Sequence, residues 1–81
     1  MVANYRIRGL IMESIPNEAG RSTTCSALFS DVASYCSELQ IPINSDIFYR
    51  ALSRLHQEQC LVYFNENNIK PTQYGLDKYN Q

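Results

Sequence analysis

Residues 44–79, NSDIFYRALSRLHQEQCLVYFNENNIKPTQYGLDKY, carry most of the architectural information in this chain. Asn44-Ser45-Asp46 is a polar start of the kind that caps a helix by accepting bonds from free backbone N–H groups. Asp46, in the first turn, suits the positive end of the helix dipole. From there, Ile47 or Phe48, Ala51, Leu52 and Leu55 recur at helical spacing and form an inward face. Tyr49, Arg50, Ser53, Arg54 and Gln57 are left outside. The helical run frays near Gln59. Leu61-Val62-Tyr63-Phe64 then has the β-branched and aromatic character of a strand. Asn65-Glu66-Asn67-Asn68 is a polar turn, and Ile69 to Leu76 reads as a returning strand. Pro71 within that return implies an edge position, because proline cannot donate to a ladder.

The residues before this stretch supply two more helices. Ile7, Leu10, Ile11 and Ile15 share one face of a helix over 3–15, which Pro16 ends. Asn17-Glu18-Ala19-Gly20 is a turn. Residues 21–25 are either a short β stretch or the lead-in to the next helix. Ser26 to Leu39 is helical, with Leu28, Val32, Tyr35 or Cys36, and Leu39 inward. Pro42 disfavours helix at Ile41 and turns the chain.

The chain has 81 residues, room for one domain with a core near the lower size limit. With 44% apolar and 19% charged residues, a folded globular domain is expected. No apolar run approaches the roughly 18 residues of a membrane span. Arg6, Arg8 and Glu13 break the apolar character of the start, so it does not read as a signal peptide. Three widely spaced cysteines are an odd count, so reduced thiols and a cytoplasmic location are the simpler reading.

Three helices followed by a two-stranded hairpin, with a short third strand near 22–25, form an α+β winged helix-turn-helix. In that fold the outward side of the third helix (about 45–59) reads duplex DNA in the major groove. The reading residues are Ser45, Asp46, Tyr49, Arg50, Ser53 and Arg54. Residues four apart project together, so Tyr49 and Ser53 form one row and Arg50 and Arg54 another. Arginines there reach guanine edges or phosphates. Ser45 and the backbone N–H groups at the helix start suit a phosphate oxygen. Arg21 and Lys70 extend the positive surface. Arg6, Arg8 and Lys78 are better read as ordinary surface charge.

The strings FYRALSRLHQEQCLVYF and QYGLDKYN resemble the recognition helix and wing of the PadR-like winged-helix regulators. Tyr49, Arg50, Ala51, Leu52, Arg54, Leu55, Glu58, Leu61 and Val62 match the family's helix pattern. Tyr74 and Leu76 match the end of its return strand. Gln59-Cys60 stands where the family has a glycine-containing turn, Asp77 replaces its threonine, and the tip NENN lacks its basic residue. The resemblance covers about the C-terminal half of the chain. It implies a small DNA-binding transcriptional regulator, cytoplasmic and homodimeric, joined here through its first helix or another surface.

Other chemistry finds less support. His56 and Cys60 lie four apart, but no close cysteine pair accompanies them, so no metal is expected. One histidine, three glycines and no phosphate loop argue against an enzyme and against a cofactor. The net charge of −1 disfavours indiscriminate polyanion binding. It suits the alternative, a winged-helix protein-interaction module of the phage, plasmid or archaeal accessory type. Six tyrosines fit interfaces as well as cores. Tyr35 and Tyr63 are expected inside, and Tyr5, Tyr63 and Tyr74 are candidates for a dimer surface.

Overall fold

The computed structural model describes residues 2–16, 18, 21–65 and 67–79, with side chains from Arg6 onward. It is a small α+β fold, helix-dominated, with four helices and a three-stranded antiparallel sheet among these residues. The order is α1 (Val2–Ser14), β1 (Thr23–Thr24), α2 (Cys25–Leu39), α3 (Ser45–Gln57), β2 (Leu61–Tyr63), β3 (Asn68–Pro71) and α4 (Gln73–Tyr79). The arrangement is compatible with a winged helix.

The starts of α2 and α3 each have a local cause. The Thr24 hydroxyl accepts from the Ala27 N–H at 3.1 Å, and the Asn44 side-chain oxygen Oδ1 accepts from the Ile47 N–H at 2.9 Å. Of the two candidate caps for α3, Asn44 is the one used. Two residues past the end of α3, Gln59 is held at φ 64°, and the Cys60 N–H donates back to the Leu55 carbonyl at 2.9 Å. That left-handed position usually holds glycine.

The expected return strand over 69–76 forms only in its first part. Strand β3 stops at Pro71, and Tyr74 and Leu76 lie in helix α4 instead. Thr72 is the reason. Its hydroxyl accepts from the Gly75 N–H at 3.0 Å while donating to the Gln59 carbonyl at 2.6 Å. It thus caps α4 and ties the new helix to the end of α3. The fourth helix packs on α1.

The strand order is β1-β3-β2, so β3 is central rather than at the edge. Pro71 is tolerated because β1 pairs only with Asn68 and Ile69; opposite Leu61, Pro71 has no β1 neighbour to supply. The expected 65–68 turn is closed by the Asn65 side-chain oxygen, which accepts from the N–H groups of Asn67 and Asn68 at 2.9 Å each.

The core joins the four helices with β2 and β3. Ile7, Ile11 and Met12 from α1 meet Leu28, Val32 and Cys36 from α2 and Phe48, Leu52 and Leu55 from α3, with Leu61 and Ile69 beneath. Phe29 packs edge-on against Phe48, ring centroids 5.0 Å apart. In α2 the inward stripe is Cys25, Leu28, Val32 and Cys36. Tyr35 and Leu39 are therefore on the rim, each 46% exposed, and Tyr63 is 38% exposed, so neither tyrosine is a core residue. The expected turn at Asn17, Ala19 and Gly20, the tip residue Glu66 and the Tyr5 side chain lie outside the described residues. No helix among the described residues is long and apolar enough to cross a membrane.

Candidate nucleic-acid interface

Helix α3 turns Phe48, Ala51, Leu52 and Leu55 inward, and Ser45, Asp46, Tyr49, Arg50, Ser53 and Arg54 are all exposed. These six thus share one accessible side, as their spacing predicted. The structure does not bring Arg21 and Lys70 into that group. Arg21 precedes β1 and its guanidinium is 3.9 Å from the Glu18 carboxylate. Lys70 lies in β3 with its ammonium 5.6 Å above the Phe64 ring.

The arginines of α3 have internal partners. Arg50 Nε is 3.2 Å from Asp46 Oδ2, and Arg54 Nε donates to Glu58 Oε2 at 3.1 Å. Asp46, expected to face DNA directly, therefore also holds Arg50. Such pairs are weak: the Arg50 and Arg54 side chains are 73% and 60% exposed, and exposed ion pairs contribute about 0–1 kcal/mol. A phosphate arriving from solvent has little to displace.

Glu58 is a hub. Besides Arg54, the Lys78 ammonium lies 3.7 Å from its other oxygen. Burial would push the Glu58 carboxyl up. The Arg54 hydrogen bond and the charges of Lys78, Arg8 and Arg54 outweigh that and hold it below its ordinary value. Lys78 is correspondingly raised, chiefly by Glu58. One carboxylate thus joins the end of α3 to α4.

Two clefts of opposite sign flank α1. Between α1 and α3, a cleft of about 290 Å³ is lined by Arg8, Arg50, Ala51, Ser53, Arg54 and Gln57. Between α1 and α2, one of about 510 Å³ is lined by Glu13, Ser14, Asp31, Ser34, Tyr35 and Glu38. Arg8 was read as ordinary surface charge, yet it stands beside the α3 arginines. Its spacing held a signal: Arg8, Met12 and Ile15 are i, i+4 and i+7, one stripe, and the other two are 1% and 2% exposed. An arginine on a core-facing stripe keeps its stem among apolar groups and sends its charged head to the rim.

His56 and Cys60 do not share a helix face. Helix α3 ends at Gln57, His56 stacks edge-on against Tyr63 with ring centroids 5.0 Å apart, and Cys60 is buried. Among the described residues no group of three or more His, Cys, Asp or Glu side chains could hold a metal ion. No protein-family model, curated protein or solved structure matches the chain.

Proposed function

We propose that this protein is a small DNA-binding transcriptional regulator of the winged-helix type, resembling the PadR-like regulators, that inserts α3 into the major groove. The observation that carries the reading is the exposed side of α3, where Ser45, Tyr49, Arg50, Ser53 and Arg54 stand clear of the core. The β2–β3 hairpin beside it plays the part of the wing. Arg21, just before β1, and Lys70, in β3, are contacts to the flanking backbone in this reading. A homodimer would present two such helices about one DNA turn apart, roughly 34 Å. The acidic α1–α2 cleft lies on a separate face and would orient the molecule in the field of the duplex.

Selection from random duplex DNA at two salt concentrations tests the proposal. Wild type should enrich a sequence, and Arg50→Ala with Arg54→Ala should abolish binding while the circular-dichroism spectrum is unchanged. Enrichment of nothing by wild type would overturn it.

A second reading, a protein-interaction module on the same scaffold, is favoured by one observation. Tyr35, half-exposed on α2, lines the acidic cleft, a surface suited to a cationic partner segment. Under that reading the selection fails, and alterations at Glu38 and Tyr35, not at Arg50, abolish partner binding.

A further inference from the structure

We infer that the α1–α3 cleft is an oxyanion site that takes a phosphate group, with Arg8 as a ligand beside Arg50 and Arg54. The inference deepens the DNA-binding proposal and rests on it for the source of the phosphate, the nucleic-acid backbone.

Ala51 makes the cleft. It lines the depression and is itself 2% exposed, so its methyl group forms a floor where a longer side chain would fill the space. Three guanidinium-bearing side chains stand around that floor, together with the exposed Ser53 and Gln57. Each arginine is a planar fork of five N–H donors, matched to two oxygens of a phosphate. Serine and glutamine add neutral donors at the same rim.

The internal carboxylates leave most of the donor capacity of Arg50 and Arg54 unused. Arg50 meets Asp46, and Arg54 meets Glu58, in each case through Nε. Among the described residues no other hydrogen bond or ion pair engages the terminal amino groups of Arg50 and Arg54. Glu58 is shared with Lys78, and it also feels the charge of Arg8. Asp46 and Glu58, two carboxylates, thus meet three cations, Arg50, Arg54 and Lys78, and the field of these groups is positive in a protein whose net charge is −1. An anion placed on the Ala51 floor offsets that field.

The geometry changes the role of the α3 arginines. Phosphate contacts fix where a protein sits on a duplex, whereas base-edge contacts specify the sequence. If α1 and α3 together grip a phosphate, Arg50 and Arg54 position the helix. Tyr49 and Ser45, on the rest of the exposed side, are left to face the bases.

The test has a protein-only arm and a DNA arm. In the first, inorganic pyrophosphate is titrated into the whole chain, and the arginine side-chain and α1 and α3 backbone NMR signals are followed. The expected result is saturable shifts at Arg8, Arg50, Arg54 and Ser53, weakened about tenfold or more by Arg8→Gln. Ser53→Glu, an exposed change that puts a negative charge in the cleft, should weaken them likewise and guards against a folding defect in the Arg8 variant. Absence of shifts at these residues overturns the site. In the second arm, Arg8→Gln should lower affinity evenly across selected and unselected duplexes and reduce the salt dependence by about one phosphate contact. A changed sequence preference would overturn the positioning role. Pyrophosphate binding with no DNA selection at all keeps the site, assigns it to a free phosphate-bearing molecule, and removes the regulator reading alone.

Discussion

Gly75 of α4 rests directly on the backbone of Cys60. A β-carbon built at position 75 would lie 2.7 Å from the Cys60 Cα and 2.8 Å from its carbonyl carbon. These are backbone atoms at the junction of α3 and β2, and they cannot rotate away. Gly75→Ala is therefore expected to destabilise the protein by roughly 1–3 kcal/mol, as overpacking does. Urea unfolding measures it, and an unchanged midpoint would show that α4 does not seat on Cys60.

Gly9 gives the opposite expectation. It lies inside α1, and a β-carbon there meets nothing within 4 Å. Alanine carries a higher helix propensity and narrows the unfolded ensemble. Gly9→Ala should raise stability by up to about 1 kcal/mol in the same urea experiment. A loss would place a neighbour against that face of α1.

Glu58 links stability to pH. Its folded pKa lies below the ordinary 4.5, because the Arg54 bond and the neighbouring cations outweigh burial. A depressed carboxyl stabilises the fold above the ordinary value, and that contribution disappears as pH falls through the lower, folded value. Glu58→Gln should therefore cost roughly 0.5 kcal/mol near neutrality, in keeping with pairs this open to solvent. The gap between variant and wild type should close in acid below the ordinary carboxylate range. Parallel stability curves across that range would contradict the assignment.

Much of this architecture was legible in the residues. Helices α1, α2 and α3 follow from apolar spacing, and the β2–β3 turn follows from Asn65 to Asn68. The fourth helix was not legible. It has seven residues, too few for periodicity to speak, and Tyr74 and Leu76 are two apart, the spacing of one strand face. Thr72 reads as a cap only once the Gln59 carbonyl is known to lie against it. Tyr35 and Cys36 are adjacent, so spacing alone left both open; the buried stripe of Cys25, Leu28, Val32 and Cys36 settles on the thiol. At the candidate site, α3 declared its exposed side through amphipathic spacing. Arg8 did not declare itself, because what gives it a role is α1 crossing α3, a relation between distant segments.

The position of β3 also governs how the molecule comes into being. Both other strands hydrogen-bond to it, and it is the last strand to leave the ribosome. Until Asn68 to Pro71 emerge, neither Thr23–Thr24 nor Leu61–Tyr63 has anything to zip against. The native sheet therefore cannot form on a nascent chain before Asn68–Pro71 is available, and a product truncated before Asn68 would carry two β segments without their native partner.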